Sequence, residues 1–128
     1  MRHFFLVLII GCTNAIAGPI STVDFVSVKD NHFEEAVYYY ENNWKRHREA
    51  ALEQGFIQSY TLLIYIEQDD EMAILLITEY EDRNQYELRE ENFEIVMAVT
   101  QKDGRRLLNG LQPAEFRDVF ASKRFFSE

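Results

Sequence analysis

The sequence predicts an α+β domain of order βαββαβ, with a four-stranded antiparallel sheet and two helices on one of its faces. Three observations carry this. A helical period runs through residues 33–54. Two strand-like runs, 57–66 and 72–80, flank a short polar loop. Segments rich in β-branched and aromatic residues stand near both ends, at 23–28 and 116–126.

Each element has a local reason. Val23, Phe25, Val26 and Val28 favour an extended backbone and supply the first strand. Asn31, with Glu34 three residues on, resembles a capping box that starts the first helix. Phe33, Ala36, Val37, Tyr40, Trp44, His47 and Ala51 then fall on one face at 100° per residue. Glu35, Asn42, Lys45, Glu49 and Glu53 take the other side. Gly55 stands where a glycine ends a helix. Glu67 to Glu71 joins the middle strands as a hairpin loop. Asp82 opens the second helix, with Gln85 at its third position, and Tyr86, Phe93, Val96, Met97 and Thr100 give it an apolar stripe. Gly104, Gly110 and Pro113 make 101–113 a turn with a short helical piece. The last strand follows. The order is the split-βαβ, ferredoxin-like plan.

The first 17 residues read differently. Met1-Arg2-His3 is a basic start, residues 4–10 are an unbroken apolar run, and Ala15-Ile16-Ala17 offers small residues for cleavage before Gly18. This is the order of an export signal. The run is far shorter than the roughly 20 residues a membrane-spanning helix needs. The expectation is a signal peptide at 1–17 and a single domain at 18–128, placing the protein in the periplasm or outside the cell. The alternative is a lipoprotein signal ending before Cys12, since Ile9-Ile10-Gly11-Cys12 resembles a lipobox. Cys12 would then carry a lipid and anchor the protein to a membrane. Otherwise no membrane association is expected.

Composition narrows the function classes. The 128 residues hold 13 Lys+Arg against 22 Asp+Glu, a net charge of −9, which argues against nucleic acid as a partner. The one cysteine cannot form an internal disulfide. No P-loop, dinucleotide fingerprint, G-x-S-x-G or zinc motif occurs. His32 and His47 lie about 22 Å apart along a helix, too far to share a metal. No metal and no cofactor are expected.

The middle hairpin is apolar on both faces. Tyr60, Leu62, Ile64 and Ile66 make one parity, and Leu63 and Tyr65 the other. Ile74 and Leu76 alternate with Ala73, Leu75 and Ile77. Two helices cover one sheet face, so the second needs a partner. The expected partner is a second copy of the chain, giving a homodimer packed sheet to sheet.

The strand order, this two-sided hairpin and the long first helix with Trp44, His47 and terminal Gly55 resemble the dimeric α/β-barrel superfamily. It includes antibiotic-biosynthesis-type monooxygenases and EthD-like and NIPSNAP-like proteins. The resemblance covers about residues 22–126 and rests on pattern. It implies a dimeric α/β barrel with a ligand cavity between sheet and helices. It assigns no residue a role.

The candidate ligand-binding residues are Tyr40, Trp44, His47 and Arg48. The first three share the inner stripe of the first helix and would line an apolar pocket with a few polar tips. The plainer reading of Tyr40 and Trp44 is aromatic core, and of His47 a buried or interfacial histidine satisfied by backbone or carboxylate. Tyr38 points nearly opposite the stripe and Tyr39 to a flank. Arg48 would hold a ligand carboxylate or lay its stem over the sheet. Candidate catalytic groups are His47 and Glu79. Glu79, like Asp24, interrupts an apolar strand parity and would act as a base if a cavity desolvated it. The expected function is binding of a small apolar or aromatic ligand between sheet and helices. The alternatives are a cofactor-independent monooxygenase-like enzyme and a non-catalytic structural or interaction protein.

Overall fold

The computed structural model describes residues 18–127. The expected signal peptide at 1–17 and Cys12 lie outside the described residues.

Strand β1 (Ile20–Val28) leads into helix α1 (Phe33–Tyr39), a π-helical turn (Tyr40–Trp44) and α2 (Lys45–Glu53). The hairpin β2 (Ser59–Ile66) and β3 (Met72–Tyr80) follows. Then come α3 (Arg83–Glu87), α4 (Arg89–Thr100), the short α5 (Pro113–Phe116) and β4 (Arg117–Phe126). The sheet order is β2-β3-β1-β4, and every neighbouring pair is antiparallel. This is the ferredoxin-like arrangement, with both central strands supplied by the two halves of the split βαβ.

Local chemistry explains the boundaries. The left-handed backbone of Gly55 (φ 73°) ends α2, a conformation glycine adopts without steric cost. Asp82 caps α3: its Oδ1 accepts the Gln85 amide at 2.8 Å, while Gln85 Oε1 accepts the Glu81 amide at 2.6 Å. The expected Asn31 capping box does not form. His32 takes the cap position without a side-chain bond, and Asn31 turns left-handed (φ 65°) to reverse the chain. Asparagine tolerates that region, and the tight turn claims it first. The short helical piece falls at Pro113–Phe116, later than expected. There a capping box between Gln112 and Glu115, with Pro113 at the first helical position, fixes its start.

The helices cover one sheet face. Val26, Ile74 and Leu76 meet Ala36, Tyr40, Trp44 and Phe116 in one buried cluster, while Ala51, Ile57, Tyr80 and Val96 form a second. The other face holds Phe25, Leu63, Leu75 and Ile77 in register across three strands. Leu63 remains 45% exposed and Phe120 61%. A bulge sets the phase of β4. Phe25 pairs with Ala121 but Val26 pairs with Val119, leaving Phe120 as the extra residue. The parity therefore switches along β4. Arg117 and Val119 face the helices, and so do Ser122 and Arg124 beyond the bulge. Among the described residues no helix is long and apolar enough to cross a membrane.

Candidate functional site

The π turn interrupts the regular helix where the aromatic residues lie. Its wider winding turns consecutive residues inward, Tyr39 with Tyr40 and Asn43 with Trp44. All four line one cavity of about 220 Å³ between helix and sheet. Turns of this kind recur at functional sites. Tyr39 is thus not on a flank. Its ring packs on Phe116 at 5.4 Å and edge-on to Tyr40 at 5.2 Å. His47 lies one turn further along the same wall. Leu76 of β3 and Asp24 of β1 form the floor, with Arg117 and Val119 of β4 beside them. Met97, Gln101 and Arg105 close the remaining side.

Asn43 explains how that side is held. Its amide donates to the carbonyls of Tyr39 and Arg106, both at 2.8 Å, and its Oδ1 accepts the Arg106 amide at 2.8 Å. A buried side chain thereby fastens the loop after α4 to the first helix and keeps Arg105 at the cavity. Nothing in the linear pattern singles out Asn43, because its partner is backbone and lies 63 residues away.

The electrostatics of the cavity favour neutral protein groups beside fixed cations. Burial is the largest cause holding the His47 imidazole down to about 4, and Arg48, Arg46 and Arg105 push the same way. His47 is therefore uncharged at neutral pH. Burial also raises the Tyr40 hydroxyl far above its ordinary range, partly opposed by Arg117. Asp24 receives a hydrogen bond from the Ser122 hydroxyl at 2.6 Å. Among the described residues three buried side-chain nitrogens have no partner, His32 Nδ1, Trp44 Nε1 and Arg117 Nε, and the last two belong to residues that line this cavity.

The predicted residues separate into two groups. Tyr40, Trp44 and His47 come together. Arg48 does not join them. It sits behind Trp44, its guanidinium 4.9 Å from the Trp44 ring and 4.1 Å from Phe93, and its Nε donates to Thr78 Oγ1 at 2.9 Å. Burial lowers its pKa to about 10. The cations at the cavity are Arg105 and Arg117 instead. Glu79 is on the opposite sheet face. Its neighbours Thr78 and Tyr80 are buried under the helices, so alternation turns Glu79 away, paired with Ser21 and Ser59. It cannot share a pocket with His47. Among the described residues no group of three or more His, Cys, Asp or Glu gathers at metal-binding distance.

No family model and no curated protein matches the chain. Solved structures with a similar fold include a conserved protein from Methanosarcina mazei Go1, 15% identical over 88% of this chain and 96% of that one, with a TM-score of 0.48. Another is a protein from Nitrosomonas europaea provisionally assigned as an antibiotic biosynthesis monooxygenase. It is 17% identical over 87% of this chain and 91% of the other, with a TM-score of 0.43. The fold assignment stands on the strand order and pairing described above.

Proposed function

We propose that this is an exported, dimeric binding protein that holds a small aromatic or apolar ligand between its sheet and its helices. One observation carries the reading. Tyr40, Trp44 and His47 do not merely fill the core but border a cavity of about 220 Å³ between helix and sheet. The volume is below the roughly 300 Å³ at which ordinary ligand pockets begin, which favours a one-ring molecule. A solidly packed helix–sheet interface would have favoured a purely structural role.

Binding is preferred over catalysis on chemical grounds. An imidazole held near 4 is a weak base at neutral pH, and general-base catalysis works best when the group titrates near working pH. Glu79, the other candidate base, faces away. The fold is compatible with a cofactor-independent enzyme, and Asp24 is the carboxylate at the cavity that such a reading would use, although the Ser122 hydroxyl already engages it.

Dimerisation through the open face is part of the same proposal. Phe25, Leu63, Leu75 and Ile77 form a continuous apolar patch that the helices leave uncovered, which favours a second sheet as its cover. Export rests on the sequence order of residues 1–17.

Trp44 is the chain's one tryptophan, so its fluorescence reads the cavity directly. Titration with phenol, benzamide and benzoate should give a saturable change for at least one. Val119→Phe, which fills the space, should abolish it. A flat response to all three by the wild-type protein overturns the binding reading.

A further inference from the structure

We propose that a second site, in the groove between the start of α4 and β4, binds the phosphoryl group of a small phosphate monoester through Arg89 and Arg124, arranged around the Tyr86 ring. This site is separate from the aromatic-ligand cavity and does not depend on the reading of it.

The groove encloses about 660 Å³, within the range of ordinary ligand pockets. Thr22, Tyr86, Arg89, Ser122, Arg124 and Phe126 line it, and Asp24 is the residue it shares with the inner cavity. Tyr86 gathers its charge. The half-buried Arg89 lays its guanidinium over the Tyr86 ring at 4.0 Å and donates to the Tyr86 carbonyl at 3.1 Å. From β4, the exposed Arg124 donates to the Tyr86 hydroxyl at 3.0 Å, with its guanidinium 5.4 Å from the same ring centroid. Each bond uses one nitrogen of its guanidinium fork. Every Arg89 nitrogen without a protein partner is reachable by water, and so is the exposed Arg124. The two forks therefore present donors to the groove.

Charge and shape together select the ligand. Two guanidinium groups around one ring repel each other, and an anion held between them turns that repulsion into attraction. Surface cations elsewhere pair with glutamates, Lys45 with Glu41 and Arg83 with Glu87. Arg89 and Arg124 have no carboxylate within ion-pair distance among the described residues, although the chain carries a net charge of −9. The forks approach from different directions, one over the ring face and one at its hydroxyl edge. The oxygens of a carboxylate lie in one plane, whereas a tetrahedral phosphoryl group sends three outward, and arginine forks match its geometry. The Tyr86 hydroxyl accepts from Arg124 and keeps its own proton to donate. Phe126, its ring 5.4 Å from the Arg124 guanidinium, offers an apolar wall to the organic part of the ester. Asp24 is the one acid lining the groove, and the Ser122 hydroxyl engages it at 2.6 Å. Lys123 also borders the groove but lies over the Phe25 ring on the other sheet face and takes no part.

The test is an NMR titration at constant ionic strength that follows the side-chain Nε–Hε signals of Arg89 and Arg124. The probes are phenyl phosphate, inorganic phosphate and phenol. Phenyl phosphate should shift both signals saturably and bind several-fold more tightly than inorganic phosphate, and phenol should leave both signals in place. Arg124→Gln and Arg89→Gln should each weaken phenyl phosphate about ten-fold or more, the loss expected for a charge-assisted hydrogen bond, read on the arginine that remains. Arg124→Lys keeps the charge without the fork and should recover only part of the loss. Lys45→Gln removes the same charge elsewhere and should change nothing. Should Arg89→Gln fail to fold by circular dichroism, the exposed Arg124 variants carry the test alone. No saturable shift with either phosphate overturns the site. An equal loss in Lys45→Gln overturns it as well, because net charge then explains the binding. Shifts from phenol that match those from phenyl phosphate overturn the anion assignment, and equal affinity for the two phosphates overturns the monoester in favour of the free ion. Neither arginine lines the inner cavity, so failure here leaves the aromatic-ligand reading standing.

Discussion

Asn43 and Arg106 are joined by a reciprocal pair of hydrogen bonds, each 2.8 Å, between a side-chain amide in the first helix and a backbone peptide in the loop after α4. The contact links the π turn to the segment that carries Arg105. Asn43→Ala should therefore lower stability by about 1–3 kcal/mol, since the Arg106 peptide loses both partners. It should also speed amide exchange selectively across residues 101–110. Exchange rates there equal to wild type would show that the loop is held by other contacts.

Acidification gives a second expectation, centred on His47. Its folded pKa of about 4 lies below the ordinary 6.5, so the unfolded chain takes up the proton first as pH falls. This contribution costs nothing above pH 6.5, grows as pH drops and levels off below about 4. Its full size is on the order of 2 kcal/mol after allowing for solvent access to the ring. The carboxylates titrate over the same range, so the reading is the difference between wild type and His47→Gln. Urea midpoints measured from pH 7.5 to 4 should fall more steeply for the wild type. Parallel curves for the two proteins would place the imidazole in an ordinary solvated setting.

The sequence made some of these features visible and hid others for physical reasons. Periodicity exposed the elements: 72–80 matches β3 in full, and 116–126 differs from β4 by one residue. The apolar stripe placed Tyr40, Trp44 and His47 on the inner face, because strong periodic burial survives small changes in winding. The π turn was not legible, since nothing in Tyr40-Glu41-Asn42-Asn43-Trp44 distinguishes i+5 from i+4 bonding, and with it went Tyr39 and Asn43. The β4 bulge was equally hidden. A one-residue slip at Phe120 decides that Arg117 and Ser122 face the helices together, and neighbour pairing fixes it rather than local composition. The settings of Arg48 and Glu79 stay open in the sequence for a related reason. A charged residue beside a stripe can stack behind it or face away, and only the partners Thr78, Trp44 and Phe93 settle which.

Gly55 carries a simpler prediction. Its φ of 73° lies in the left-handed region, and an added Cβ would meet no atom within 4 Å. Gly55→Ala therefore isolates backbone strain from crowding. It should cost about 1–2 kcal/mol, read as a lower denaturation midpoint with an unchanged urea m-value. A loss several times larger would mean that the end of α2 had shifted.

Assembly is tested at Leu75, near the centre of the open face. Leu75 pairs with Phe25 on one side and Leu63 on the other, so a charge there is surrounded by apolar side chains on both flanks. In a monomer the substitution Leu75→Glu exposes its carboxylate to water and costs little. In a sheet-to-sheet dimer the twofold axis brings the same patch of each copy against its equal. Two carboxylates are then desolvated, with Lys123 over the Phe25 ring as the nearby cation on this face, at a cost of up to several kcal/mol per ion. Sedimentation equilibrium at micromolar concentration should show twice the chain mass for the wild type and the single mass for Leu75→Glu, with the circular dichroism of both alike. A wild-type protein that sediments as a monomer removes the dimer from the proposal. A Leu75→Glu protein that stays dimeric moves the interface elsewhere, to the exposed Ile95 and Val99 of α4 or the tip of the β2–β3 hairpin.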